Sequence, residues 1–158
     1  MKFKNLLIFI FLINSKILVN SEYYGNISIT YEGELSIKKN LPNVTINIYE
    51  GICNISFESN FENFDDFFSN TLNSINNIIT IDLSNLLINP KILKGMFSGC
   101  TGLTKIKGLS KLNTSEVISM SNMFQKCNAL SEVDLSNLDT SLVTDMSYMF
   151  HGCNALRN

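Results

Sequence analysis

Along the chain the apolar residues keep two rhythms, and each predicts a different kind of element. From Tyr23 to Phe57 they alternate with polar ones. Ile27, Ile29 and Tyr31 form one set, Leu35 and Ile37 a second, Val44, Ile46 and Ile48 a third, Ile55 and Phe57 a fourth. A period of two rich in β-branched residues predicts short strands, and Glu32-Gly33, Lys39 to Asn43 and Glu50-Gly51 supply the turns between them. The step then lengthens. Phe57, Phe61, Phe64, Phe68, Leu72 and Ile75 fall at intervals of 4, 3, 4, 4 and 3, the spacing of one helical face. This predicts an amphipathic helix over 58–76, its aromatic stripe turned to the core, with Glu58, Glu62, Asp65 and Asp66 near the start where acids complement a helix dipole.

The second half is an internal repeat. Met96-Phe97-Ser98-Gly99-Cys100-Thr101-Gly102-Leu103 recurs as Met123-Phe124-Gln125-Lys126-Cys127-Asn128-Ala129-Leu130 and again as Met149-Phe150-His151-Gly152-Cys153-Asn154-Ala155-Leu156, at spacings of 27 and 26 residues. Leu112 to Met120 matches Leu138 to Met146, and Asp82-Leu83-Ser84-Asn85-Leu86 matches Asp134-Leu135-Ser136-Asn137-Leu138. A degenerate first copy runs from Thr71 to Ile78, in a frame that sets Thr71 opposite Met96. A unit this short cannot bury its apolar edges alone, so neighbours must stack into a continuous core. The pattern predicts a solenoid with one strand per coil (Ile78 to Leu83, Leu103 to Lys107, Leu130 to Leu135). A helical piece follows in each, carrying Val117, Met120, Met123 and Phe124, or Val143, Met146, Met149 and Phe150. Four segments result: a leader at 1–21, a β-rich region at 22–57, the helix and first copy at 58–76, and the repeats at 77–158.

Composition fits stacked turns. Only 16% of residues are charged, against about a quarter in ordinary domains, while 22 Asn and 18 Ser supply the polar surface. Asn113-Thr114-Ser115 and Asp139-Thr140-Ser141 are turn-and-cap chemistry.

The leader reads as an address. Lys2 and Lys4 precede an unbroken apolar run from Leu6 to Ile13, far short of the ~20 residues that span a bilayer. Val19-Asn20-Ser21 follows as a cleavage site, so residues 1–21 are expected to be a signal peptide and the protein secreted or at the cell surface. The alternative, an uncleaved anchor extended through Ile17 to Val19, is interrupted by Asn14, Ser15 and Lys16. Charge beyond the leader is uneven: residues 22–90 hold 2 basic and 9 acidic side chains, residues 91–158 hold 7 and 5. The acidic half would repel nucleic acid and anionic lipid, so neither is an expected partner.

The repeat also sets side chains in columns. Cys100, Cys127 and Cys153 share one register and are expected as buried free thiols. Three in-register sulfurs cannot all pair, and strands ~4.8 Å apart set their Cβ atoms too far apart for a disulfide. Cys53 is left unpaired or bonded to an unidentified partner, and zinc is disfavoured because ligand pairs two to four residues apart are absent. Aligned strands set Thr80, Lys105 and Glu132 in one column and Asp82, Lys107 and Asp134 in the next. These six are the candidate ligand-facing positions; the plainer reading is that their charges satisfy one another.

The pattern Met-Phe-x-x-Cys-x-x-Leu-x-x-Val-Asp-Leu-Ser-x-Leu-x-Thr-Ser-x-Val-Thr-x-Met-x-x-Met-Phe at 123–150 resembles the BspA-like leucine-rich-repeat surface proteins and the related mycoplasma-type surface repeats. The resemblance covers about residues 71–158. It implies an α/β, leucine-rich-repeat-like, right-handed solenoid outside the cell that binds protein or glycan on a host, a matrix or a neighbouring cell. It brings no catalytic residue, metal or cofactor. Family members carry more repeats and often a downstream anchor, whereas this sequence ends inside a fourth coil, so the alternative expectation is a non-catalytic structural coat protein or a truncated fragment of a larger surface protein, with no ligand of its own and self-association through an open C-terminal coil. Asn26, Asn43, Asn54 and Asn113 are candidate N-glycosylation acceptors, no more numerous than chance allows. His151, Asp145 and Ser141 can be drawn as a triad, but no nucleophile elbow accompanies them, and no enzyme is expected.

Overall fold

The computed structural model describes residues 25–49, 51–57 and 59–157; the signal-peptide expectation at 1–21 lies outside them. Seven strands are present: β1 (Gly25–Tyr31), β2 (Ser36–Ile37), β3 (Val44–Tyr49), β4 (Ile52–Phe57), β5 (Leu72–Asn73), β6 (Ile78–Leu86) and β7 (Lys105–Lys107). One five-residue helix, α1 (Phe67–Thr71), precedes β5. The strands form a five-stranded sheet ordered β3-β4-β1-β6-β7 and a two-stranded sheet of β2 and β5. The large sheet is mixed: β3/β4, β4/β1 and β1/β6 are antiparallel, β6/β7 parallel. Period-two alternation decides its faces. Cys53, Ile29 and Ile81 share a register across three strands and are fully buried, while the residues between them turn outward.

The N-terminal strands and the repeats are not separate bodies. β1 lies against β6, the strand of the first copy, and one continuous apolar cluster runs from Ile27 to Met149. Four phenylalanines, Phe57, Phe61, Phe64 and Phe67, pack ring against ring at 4.9 to 6.0 Å where sheet and repeats meet.

The expected α/β leucine-rich-repeat-like right-handed solenoid is overturned: among the described residues the chain is mostly β, with a single short helix. The long amphipathic helix expected over 58–76 is not present among the described residues 59–76; α1 is the α-helical part, and a 3-10 turn begins at Ile75. The segments Val117 to Phe124 and Val143 to Phe150 are successive tight turns, and Leu130 to Leu135 contains no strand. The reason lies in the backbone. An α-helix satisfies each N–H along its own axis, but here alternate N–H groups point sideways into the next copy. Leu93, Gly95, Phe97 and Gly99 donate to the carbonyls of Ser119, Ser121, Met123 and Gln125 at 2.8 to 3.0 Å. Met120, Asn122, Phe124 and Lys126 donate in the same way to Asp145, Ser147, Met149 and His151. The intervening N–H groups close three-residue turns, such as Met123 to Met120 and Cys127 to Phe124.

Each turn needs a left-handed residue, which no right-handed helix contains. They recur in register: Gly95, Asn122 and Tyr148 at one position, Gly99, Lys126 and Gly152 four residues later. Spacings of three and four thus arise from stacked turns. Isolated parallel bridges link Asn63, Ile92, Ser119 and Asp145 across the copies.

Stacking arranges the core in columns. Phe68, Phe97, Phe124 and Phe150 lie ring on ring at 5.8, 5.4 and 5.3 Å, the last two pairs tilted by only 12° and 2°. This column corrects the frame of the first copy. Phe67-Phe68, not Thr71-Leu72, occupies the Met-Phe register, and Thr71 falls where the later copies hold cysteine. Cys100 and Cys127 are buried and Cys153 half-buried; all are free, as is Cys53 on β4. The Cys127 thiol donates to the carbonyl of Phe97 and the Cys153 thiol to that of Phe124. Burial pushes the Cys53 and Cys127 thiols up to about 12 and raises Cys100 and Cys153 as well.

This packing leads to four expected outcomes. Phe124→Ala empties a fully enclosed site and should cost about 3–5 kcal/mol, whereas Phe150→Ala, at the open end of the ring column, should cost less than half as much; urea midpoints measure both. Lys126→Gly, at an exposed left-handed position filled by glycine in two other copies, should stabilise by about 0.5–1 kcal/mol. Gly95→Ala should destabilise by more than that, because its Cβ would fall on the Asp66 carboxylate. Thiols raised in the folded state stay protonated while unfolded thiols ionise near 9.0, so stability should hold below about pH 9 and fall between there and about pH 12. Urea midpoints across that range check this, and Cys53→Ala should remove part of the fall.

Candidate functional site

The outward half of the five-stranded sheet is mostly polar, with Tyr49 and Ile52 exposed among its polar residues, and strand register assembles it into rows. On β6 and β7, Thr80 lies beside Lys105 and Asp82 beside Lys107, the pairs that the repeat aligned. β1 then extends both rows, because Ser28 faces Asp82 and Thr30 faces Thr80. β4 and β3 complete them: Asn54 pairs with Ser28 and Asn47, while Ile52 pairs with Thr30 and Tyr49. The result is a row Asn47, Asn54, Ser28, Asp82, Lys107 and a second row Tyr49, Ile52, Thr30, Thr80, Lys105. At ~4.8 Å between strands, five strands span about 19 Å from first to last.

Internal bonds hold part of this face in place and leave part of it free. The Ser28 hydroxyl donates to Asn54 Oδ1 at 2.8 Å, and the hydroxyls of Thr30 and Thr80 are 2.7 Å apart. The Tyr31 hydroxyl, at the end of β1, donates to the carbonyl of Tyr49. Hydrogen bonds from Ser84 hold the Asp82 carboxyl below the usual carboxylate range, with Lys107 and Lys111 adding to the effect. Lys105 and Lys107 are exposed and make no ion pair among the described residues, where the ion pairs are Lys91–Glu62 and Lys94–Asp65. The half-buried middle of the face therefore offers amide and hydroxyl groups, and its β7 edge offers two free ammonium groups. Such a surface matches a ligand of hydroxyls, amides or carboxylates.

The remaining sequence candidates fall elsewhere. Glu132 and Asp134 do not join the sheet, since the third copy forms no strand there. Asp134 instead accepts the Ser136 N–H and hydroxyl, which hold its carboxyl low, and Ser110 contributes as well. Of the glycosylation candidates, Asn43 is exposed at a left-handed turn position ahead of β3, and Asn113 is exposed while accepting the Ser115 N–H. Asn26 and Asn54 lie half-buried within β1 and β4. His151 packs against Tyr148, Asp145 accepts the Ser147 N–H, and Ser141 donates to Asp139; no hydrogen bond joins the three. Among the described residues no group of three or more His, Cys, Asp or Glu stands together as a metal site, and no helix is long and apolar enough to cross a membrane.

Sequence reasoning missed Ser28, Thr30, Asn47, Tyr49 and Asn54. It aligned only residues that repeat, and these lie in strands outside the repeat. Their signal was nevertheless present, as the polar half of the same alternation that located the strands.

Comparison with curated proteins gives no match, and neither does comparison with solved structures. Residues 61–158, from the aromatic cluster to the last copy, match the family described as Mycoplasma protein of unknown function, DUF285, and the chain belongs to that family.

Proposed function

We propose that this protein is a secreted or cell-surface recognition module, BspA-like in its repeat, that binds a protein or glycan partner without catalysis or cofactor. The polar face of the five-stranded sheet is its binding surface. The observation that carries this reading is the row from Asn47 through Asn54, Ser28 and Asp82 to Lys107, which crosses five strands without an apolar interruption. A surface of fixed amides and hydroxyls costs little entropy when a polar ligand docks, and two free lysines at one edge add attraction for carboxylates. The leader at residues 1–21 supports export. Any membrane association would come through that leader or a downstream anchor, and nucleic acid is not a proposed partner. Asn43 and Asn113, both exposed, are the acceptors most open to glycosylation. A non-catalytic coat or spacer role is the second reading.

The test is binding of the purified protein to a glycan array, to matrix proteins and to host cells. It is compared with Tyr49→Ala/Lys107→Ala, a double variant altered at two exposed positions of the face. We expect at least one ligand class to bind, with affinity about tenfold weaker in the double variant at unchanged thermal midpoint. Binding equal in both proteins, or no binding anywhere, removes the sheet face as the recognition surface.

A further inference from the structure

The two polar rows of the five-stranded sheet differ in a way that bears on their ligand. In the first, Asp82 stands beside Lys107, so a carboxylate and an ammonium share one end. The second, Tyr49, Ile52, Thr30, Thr80 and Lys105, contains no acid and grades from an apolar end to a cationic one. Tyr49 and Ile52 pair across the β3–β4 hairpin and are 47% and 46% exposed. The Tyr31 hydroxyl donates to the Tyr49 carbonyl and fixes the backbone that carries the ring. Lys105 is exposed at the far edge, ~19 Å away at strand spacing, and forms no ion pair among the described residues. Glu132, which the repeat aligned beside it, does not join the sheet.

Between these ends the face offers hydroxyls and amides. The hydroxyls of Thr30 and Thr80 lie 2.7 Å apart, so one donates to the other and one hydrogen is left for a ligand. In the neighbouring row Asn54 accepts the Ser28 hydroxyl through Oδ1, and its Nδ2 donors are unused among the described residues. A protein partner fits this face poorly. Protein interfaces place aromatic or aliphatic anchors near their centre, whereas the centre here is Ser28, Thr30, Asn54 and Thr80. A dense polyanion fits no better, because beyond Lys105 and Lys107 its charges would meet neutral groups and the Asp82 carboxylate. Hydroxyl-rich rings with an apolar C–H face, mostly neutral and carrying one acid, match the whole row.

We infer that the row from Tyr49 to Lys105 binds a short oligosaccharide with a single carboxylate, one neutral ring lying on Tyr49 and Ile52, sugar hydroxyls bonding Thr30 and Thr80, and the carboxylate facing Lys105. This rests on the reading of the sheet face as a recognition surface and names the ligand of that face. The C–H side of the neutral ring buries against Tyr49, whose body is apolar and whose rim is polar. Attraction between an exposed ammonium and a carboxylate is small and screened by salt, so Lys105 selects among sugars while the ring and hydroxyl contacts hold them.

The experiment titrates the whole protein, followed by amide shifts in NMR, with two acidic probes: sialyllactose and a tetrasaccharide ending in glucuronic acid. Each is compared with its methyl ester, which keeps the shape and removes the charge. At low salt at least one acid should bind about two- to fivefold tighter than its ester, shifting Thr30, Thr80 and Lys105, and high salt should erase the difference. Lys105→Gln should bring the acid down to the affinity of the ester, Lys105→Arg should keep the preference, and Tyr49→Ala should weaken acid and ester alike. Both positions are exposed, so thermal midpoints should stay unchanged. No binding by either acid, equal binding of acid and ester in both pairs, or a preference that survives Lys105→Gln overturns the inference. If a neutral glycan or a protein then still binds and is weakened by Tyr49→Ala/Lys107→Ala, the face remains a recognition surface for another ligand. If nothing binds the face, both readings fall together.

Discussion

The structure depends on backbone hydrogen bonds that run sideways between successive copies of the repeat. A left-handed residue at every fourth position of each turn segment keeps alternate N–H groups from closing on their own chain and aims them at the next copy. This one arrangement stacks the phenylalanines, aligns the thiols with the carbonyls of the preceding copy and prevents helices. It also accounts for the low charge and the abundance of Asn and Ser. Asn63, Asn113, Asp134, Asp139 and Asp145 each accept an N–H two residues ahead, which a short side chain with an acceptor oxygen can do and a long one does not.

A stack held this way needs cover for its first copy, and strands from outside the repeat supply it. At the beginning, β1 pairs with β6, and β4 and β3 continue the sheet outward, so the first copy is covered by antiparallel strands from outside the repeat. Lys38, Asn70 and Thr71 donate from their side chains to the carbonyls of Ser69, Asp65 and Phe67. This cover also creates the polar face, because a sheet buried on one side turns its alternate residues to solvent on the other. Capping and surface chemistry are two consequences of one set of strands. Membership of the DUF285 family covers the repeats and the aromatic cluster, while β1 to β4 lie before the matched residues.

The strands β1, β3 and β4 and the repeat were legible because each announces itself locally, by period two or by recurrence of Met-Phe-x-x-Cys. The parallel pairing of Asp82 with Lys107 was legible for the same reason: a repeat carries its own register. The helices were misread because stacked turns and an amphipathic helix both place apolar residues three and four apart. Only the glycines at Gly95, Gly99 and Gly152 hinted otherwise, and Asn122, Lys126 and Tyr148 hide the same backbone conformation under ordinary side chains. The first copy was framed four residues late, since Phe67-Phe68 lacks the Met and Cys that mark its successors.

By itself, then, the sequence determined that short units repeat, which side of each N-terminal strand is apolar, and that Asp82 lies beside Lys107, because all of these are properties of local spacing. Tertiary structure alone decided that β1 joins β6, that polar residues from five strands share one face, and that the turn segments donate sideways to the next copy. Those features depend on where hydrogen bonds go between segments distant in the chain. Backbone N–H and carbonyl groups carry no sequence signature of their own partners.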